Sequence, residues 1–305
     1  MADCAFIGLD WGTTSLRAYR VALDGGVLEL RGEGPGILAV ADADFARALH
    51  EQIDDWLTAE PSVPVVASGM ITSRQGWREV PYVACPAGAA EIASGVIGER
   101  LQSGHTIAFV PGLVTRDAAE VPDVMRGEET QILGACAGAE GPRVCVLPGT
   151  HSKWALWHAG RIESFATFMT GELFAVLSRH SILGRLMVGD SWDEVTFARG
   201  VDAGSADAPG GLLRRLFSAR TLPLMGDLPE AGTAAYLSGL LIGAELREAL
   251  AELPDVEEVL VIGSDRLARR YGVALERAGL SVRAGPPDAV VAGQLALARR
   301  RGLVP

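Results

Sequence analysis

An apolar run over residues 4–9 ends in Asp10-Trp11-Gly12-Thr13-Thr14-Ser15. A second run through Leu16, Ala18, Tyr19 and Val21 meets the turn signal Asp24-Gly25-Gly26 before Val27 and Leu28. This order reads as strand, loop, strand, turn, strand. The same order returns in the second half of the chain. There an apolar strand over residues 144–147 leads into Pro148-Gly149-Thr150-His151-Ser152, a strand over 154–157, a glycine turn at His158-Ala159-Gly160 and a strand over 161–165. Superposing Gly12-Thr13-Thr14-Ser15 on Gly149-Thr150-His151-Ser152 takes an offset of 137 residues (149 − 12), close to half of the 305-residue chain. Matched element order at that spacing predicts an internal duplication, so the chain must build two similar units, each opening on an antiparallel hairpin.

After the first hairpin, Phe45, Leu49, Ile53, Trp56 and Leu57 recur at helical spacing, and residues 63–68 read as a buried strand. Each unit is therefore expected to be α/β. In the second half, Thr170 is the expected N-cap of a helix running through Val176 and Leu177, and the glycine-rich residues 200–211 read as a loop. Residues 237–250 form an apolar helix, 259–262 a strand, and 288–300 a final helix whose Ala289, Ala292, Gly293 and Ala296 permit close packing. The expected division is residues 1–140 and 141–305, with the final helix packing back toward the first part.

Composition narrows the partners. The chain carries 27 Lys and Arg against 38 Asp and Glu, a formal net charge of −11, with no basic run. A nucleic-acid partner is excluded, and a small anion must be met by individual groups such as Arg17, Arg74, Arg126 and Lys153. Cys4, Cys85, Cys136 and Cys145 adjoin apolar runs without a C-x-x-C spacing, which predicts reduced thiols and a cytoplasmic protein. Met1-Ala2-Asp3-Cys4 lacks the basic start of an export leader. The 237–250 stretch carries Glu245, Arg247 and Glu248 and is too short to span a bilayer. Histidine spacing predicts no structural zinc, and neither G-x-x-x-x-G-K-[ST] nor G-x-S-x-G occurs.

Two glycine-bearing hairpin loops rich in hydroxyls and backbone N–H groups are suited to gripping a polyphosphate. Asp10, at the end of the first strand, suits a magnesium ion that bridges phosphates, or else caps its own turn. Lys153 supplies charge to phosphate or substrate, or is a solvated strand residue. Met125-Arg126-Gly127-Glu128-Glu129-Thr130-Gln131 opens a helix; one of the two acids could take a proton from an attacking hydroxyl while Arg126 pairs with an anion. The competing reading is a pair of surface acids complementing the helix dipole. Ser68-Gly69-Met70 with Arg74, Gly76 and Trp77 follows a strand, so Arg74 could pair with an acid group and Trp77 stack on a sugar face, or Trp77 could fill the core. Gly263 and Ser264, at another strand end, could admit a nucleobase close to the backbone.

These strings occur in a fixed order: Ile7-Gly8-Leu9-Asp10-Trp11-Gly12-Thr13-Thr14-Ser15, Ser68-Gly69-Met70, M-R-G-E-E-T-Q from Met125, P-G-T-H-S-K-W from Pro148, Met169-Thr170-Gly171-Glu172-Leu173 and L-S-G-L-L-I-G-A-E from Leu237. Taken together the chain resembles the 2-dehydro-3-deoxygalactonokinase family of the actin and sugar kinase superfamily. The resemblance implies an α/β fold of duplicated ribonuclease-H-like (actin-like ATPase) domains, two lobes around a central cleft. The first lobe would serve the sugar acid and the second the nucleotide. It implies ATP and Mg2+ as cofactors and transfer of phosphate to the 6-hydroxyl of 2-dehydro-3-deoxy-D-galactonate. Asp10 would be the magnesium-side acid, Gly12 to Ser15 the first phosphate loop, Gly149 to Lys153 the second, and Gly263 with Ser264 the adenosine contact. The choice of base between Glu128 and Glu129 stays open. So do a same-fold kinase for another 2-keto-3-deoxy sugar acid, a non-catalytic sugar-binding or actin-like module, and a homodimer.

Overall fold

The computed structural model describes residues 3–189, 192–207, 210–253 and 256–305. Met1 and Ala2 of the N-terminal reading, and residues 208 and 209 of the expected 200–211 loop, lie outside the described residues. In chain order the first part contains β1 (Cys4–Trp11), β2 (Ser15–Ala22), β3 (Val27–Pro35), α1 (Phe45–Ala59) and β4 (Val65–Ser68). Short strands β5 (Val83–Ala84) and β6 (Ala87–Gly88) follow, then α2 (Ala89–Ser94), β7 (Ile97–Arg100), β8 (Thr106–Phe109), β9 (Leu113–Arg116), β10 (Pro122–Met125) and α3 (Glu128–Ala135). The second part runs β11 (Arg143–Leu147), β12 (Ser152–His158), β13 (Arg161–Phe168), α4 (Thr170–His180), α5 (Glu194–Ser205), α6 (Gly211–Leu216), α7 (Ser218–Met225), α8 (Thr233–Glu252), β14 (Glu258–Val261), α9 (Asp265–Arg277), β15 (Ser281–Ala284) and α10 (Ala289–Arg300).

The duplication is visible in strand order. One sheet runs β3-β2-β1-β4-β8-β7, and the other contains β13-β12-β11-β14-β15. In the first, β1 is antiparallel to β2 and parallel to β4, which is parallel to β8. In the second, β11 is parallel to β14, which is parallel to β15. Each unit therefore builds three meandering strands and then two parallel additions in the same sequence, the ribonuclease-H-like order. The β12–β13 turn falls on Ala159 (φ 48°) and Gly160 (φ 80°), the pair of positive φ values that a two-residue hairpin needs to match strand twist.

The chain divides into two compact units. One takes the described residues up to Pro142 together with Leu156–Phe165 and Pro286–Pro305, the other Arg143–Ala155 and Ala166–Gly285. In the first unit, β1, α1, β4 and β8 enclose Ile7, Leu9, Trp11, Leu49, Ile53, Val65 and Phe109, all fully buried or nearly so. Pairing of Arg161 with Gly88 and Ile162 with Ala87 ties the tip of the β12–β13 hairpin to β6 inside this unit. Helix α10 also belongs here. A Cβ on Gly134 of α3 would overlap Ala289 O of α10, and one on Gly293 would overlap Thr130 O, so the two helices touch backbone to backbone.

Two expectations need correction. Residues 200–205 are helix, not loop, because Gly200 and Gly204 lie one turn apart on the face of α5 that meets α8. A Cβ at either would collide with Tyr236 O or Leu240 O, and Gly239 and Gly243 of α8 approach α5 equally closely. Glycine's low helix propensity is overridden by a packing that only glycine allows. Thr170 is the first helical residue of α4, not its cap; Met169 caps the helix without a side-chain bond, because the Thr170 hydroxyl is engaged by Glu245. No helix among the described residues is long and apolar enough to cross a membrane.

Candidate active site

In the first unit the candidate residues gather where β1 and β4 end side by side, with Asp10 in register with Ser68. The hairpin after β1 is closed by Gly12 N–H donating to Ser15 O at 2.9 Å, leaving Thr13 and Thr14 exposed at the tip. Ile37 N–H donates to Gly12 O (3.0 Å) and Leu38 N–H to Thr13 O (3.3 Å), so these loop carbonyls are occupied from below. Gly36 makes this possible, since a Cβ there would overlap the Thr13–Ser15 backbone.

Asp10 pairs across the sheet with Arg17, whose Nε lies 4.0 Å from Oδ2. Burial raises its pKa above the ordinary carboxylate range and Arg17 opposes that shift. A partly buried carboxylate beside exposed threonine hydroxyls fits magnesium, which takes one or two protein carboxylates and fills its remaining positions with water and phosphate. Among the described residues no group of three or more His, Cys, Asp or Glu side chains gathers around a common point, so any such ion would rely on its phosphate ligands.

Gly69 and Gly127 bring helix α3 up to this strand end. Both have positive φ (94° and 105°), and a Cβ on Gly69 would lie 2.8 Å from Trp11 O, one on Gly127 3.1 Å from Gly69 Cα. Any other residue at either position would be strained and would force the backbones apart. The N-terminus of α3 and its two acids are thereby held against the end of β1. The acids differ sharply. Glu129 is 1% exposed; its Oε2 accepts Gly127 N–H at 2.6 Å and its Oε1 accepts the Thr130 hydroxyl at 2.9 Å. Burial, and then the neighbouring charge of Glu128, push its pKa up to about 8. Glu128 is only partly buried, with Oε2 accepting Arg126 N–H at 3.0 Å.

Arg126 is buried. Its Nη1 donates to Thr72 Oγ1 (2.7 Å), its Nη2 to Val80 O (3.0 Å), and the guanidinium lies 4.3 Å from the Tyr82 ring. The side chain thus fastens both ends of the 72–80 loop. On that loop Arg74 is exposed and Trp77 half-buried, its ring edge-on to Phe109 at 5.7 Å and packed on the core.

The second unit repeats the strand-end geometry with different chemistry. Val146 is in register with Val261, so Pro148-Gly149 and Gly263-Ser264 follow the C-terminal ends of adjacent parallel strands, where open α/β sheets hold ligands. Gly263 and Ser264 are exposed, and Ser264 caps α9. Helix α4 ends directly on the 149–151 loop. A Cβ on Gly171 would overlap Gly149 O, and Glu172 N–H donates to Thr150 O at 2.9 Å. His151 Nε2 lies 2.6 Å from Glu172 Oε2. The carbonyls of Gly149 and Thr150 therefore rest on the N-terminus of α4, which fixes the loop's backbone.

Ser152 and Lys153 are part of strand β12 and are buried. Ser152 Oγ donates to Glu245 Oε1 (2.8 Å), Lys153 Nζ to Thr167 Oγ1 (2.6 Å). Glu245 is the hub behind the loop. Its Oε1 also accepts Trp154 Nε1–H (2.7 Å), its Oε2 accepts the Tyr271 hydroxyl (2.7 Å), and Thr170 adds a further bond. Burial raises the Glu245 pKa while these four donors oppose the shift. Sequence reasoning missed Gly36, Gly171, Glu245 and Tyr271 as supports of the two loops. Glu245 had a legible signal, an acid inside an apolar helix; Tyr271 had none.

Comparison with known proteins gives the chain a family. A family model described as 2-keto-3-deoxy-galactonokinase matches residues 10–297. The chain is 40% identical to a protein of Rhizobium meliloti (strain 1021) assigned as a 2-dehydro-3-deoxygalactonokinase, over 97% of this chain and 96% of that one. It is 36% identical to the 2-dehydro-3-deoxygalactonokinase of Escherichia coli (strain K12), over 93% of each chain. A crystal structure from Sinorhizobium meliloti, assigned to the same activity, superposes with a TM-score of 0.85 at 38% identity, covering 96% of this chain and 98% of that one. With a family match from residue 10 to residue 297 and relatives of this similarity across nearly their whole lengths, the chain belongs to the 2-keto-3-deoxy-galactonokinase family.

Proposed function

We propose that the chain transfers the γ-phosphoryl group of ATP to the 6-hydroxyl of 2-dehydro-3-deoxy-D-galactonate in the cytoplasm, with the first unit serving the sugar acid and the second the nucleotide. The observation that carries this reading is the contact of Trp11, Gly69 and Gly127, which sets a carboxylate at a strand end beside a helix that opens with two acids. Family membership makes the chain a carbohydrate kinase and supports this choice of substrate.

Phosphoryl transfer asks little covalent work of the protein; positioning and charge neutralisation dominate. Glu128, the more accessible acid, accepts the proton of the 6-hydroxyl as that oxygen bonds to the γ-phosphorus and the bond from phosphorus to the ADP oxygen breaks. Glu129, buried and bonded to Gly127 N–H and Thr130, holds the first turn of α3 in place. Asp10, beside the Thr13–Thr14 tip, would hold magnesium through water. When bound, that ion offsets the negative charge of the transferring phosphoryl group. Gly149, Thr150 and His151, on the N-terminus of α4, take the nucleotide's phosphates, with Ser152 and Lys153 supporting them from β12. Gly263 and Ser264 lie along the adenosine. Exposed Arg74 meets the substrate carboxylate and Trp77 borders the sugar chain, on a loop that Arg126 fastens.

The test is ADP release measured with 2-dehydro-3-deoxygalactonate, with its gluconate epimer, and with no acceptor. Release should depend on acceptor and favour the galactonate derivative. Equal turnover of the epimer would replace the substrate with the broader class of 2-keto-3-deoxy sugar acids, and acceptor-independent release would overturn the kinase reading.

A further inference from the structure

Gln294 of α10 is fully buried, and its amide reaches across to both strands that end at the first-unit site. Nε2 donates to Leu9 O and to Ser68 Oγ, each at 2.9 Å. Leu9 O belongs to the peptide that carries Asp10 N–H, and Ser68 stands in register with Asp10 and immediately precedes Gly69. One side chain is thus attached to both strands, one residue before Asp10 on β1 and one residue before Gly69 on β4. Leu9 O can only accept, which settles which amide atom is the donor.

The arrangement is costly in two ways. Gln294 Oε1 is buried with no hydrogen-bond partner among the described residues, and it lies against Gly8, where a Cβ would overlap it. A buried unsatisfied oxygen and a glycine in the interior of a central strand both weaken a fold. The same helix touches α3 at Gly134 and at Thr130, within one turn of the paired acids. Helix α10 is therefore in contact with the element that carries Asp10 and with the element that carries Glu128.

We propose that Gln294 is a positioning residue, which sets Asp10 relative to Glu128 by clamping the ends of β1 and β4 from α10. The proposal rests on Asp10 and Glu128 acting as described under the proposed function. It makes the C-terminal helix a working part of the phosphoryl-transfer site.

Gln294→Met keeps the side chain's length and removes the donor. Assayed well below its thermal midpoint, this variant should lose about ten- to a hundredfold in kcat, the usual effect of removing a supporting hydrogen bond. Its KM values for both substrates should stay within about threefold, since ground-state binding is untouched. Gln294→Glu should recover part of the lost kcat at low pH, where the protonated carboxyl can donate to Leu9 O, and lose it again as pH rises. Two outcomes overturn the proposal: kcat of Gln294→Met within about twofold of wild type, below the size of any positioning effect, or a loss that merely tracks the unfolded fraction. Asp10→Asn serves as the separate control. If that variant keeps wild-type turnover, the reading of Asp10 fails, whatever Gln294 does.

Discussion

At the scale of single residues the two adjacent acids of α3 make the sharpest test. The pKa of Glu129 is pushed up to about 8 by burial and by Glu128, above the ordinary carboxylate range, so folding favours its protonated form. Stability from this group is present at low pH and lost as pH rises through about 8. Thermal midpoints measured between pH 5 and pH 9 should therefore fall more steeply for wild type than for Glu129→Gln. Equal slopes would show that Glu129 does not carry the shift. In turnover the order reverses: Glu128→Gln should lose about 10²- to 10⁴-fold in kcat, while Glu129→Gln stays within about tenfold. A larger loss in Glu129→Gln than in Glu128→Gln would exchange their roles. The pair was legible in the sequence, but its inequality was not. Neighbours on a helix point about 100° apart, and only the packing of α3 decides which acid is enclosed.

At the scale of elements, the hairpins, the apolar helix α8 and the strand before Gly69 were legible because periodicity and turn residues act locally. Elements whose existence depends on a partner were not. Gly200 and Gly204 read as loop because their role lies in Tyr236 O and Leu240 O of α8, residues distant in sequence. Gly171 is the same kind of residue at the second loop, where no side chain fits beside Gly149 O. Gly171→Val must push α4 away from the 149–151 loop, the loop proposed to take the nucleotide's phosphates. It should lower kcat/KM for ATP by about a hundredfold, the cost of a displacement near 1 Å, while KM for the sugar acid changes little. Steady-state kinetics with each substrate varied in turn separates the two. Equal losses for both substrates would mean that Gly171 supports the fold in general and not the nucleotide loop.

At the scale of the whole molecule, the chain is one strand order used twice with unequal chemistry. Under the 137-residue offset the counterpart of Asp10 is Leu147, a buried apolar residue at the end of β11. The second unit thus repeats the loop without the carboxylate and rests its loop on α4 and on the Glu245 hub instead. Duplication supplied two loop-bearing strand ends, and divergence left the acid on one. This division predicts where ligands protect the backbone. Ligand at about a hundred times its Kd stabilises the bound state by about 2.7 kcal/mol, slowing exchange through local opening up to about a hundredfold. A non-hydrolysable ATP analogue alone should slow amide exchange most at residues 147–153, 170–172 and 262–265. The sugar acid alone should act mainly at residues 69–80 and 126–129. Hydrogen exchange read by mass spectrometry resolves these segments. If the nucleotide analogue protects residues 69–80 and 126–129 and leaves 147–153 unchanged, the assignment of the two units is reversed, and the buried Glu245 hub must be explained as a support of the fold alone.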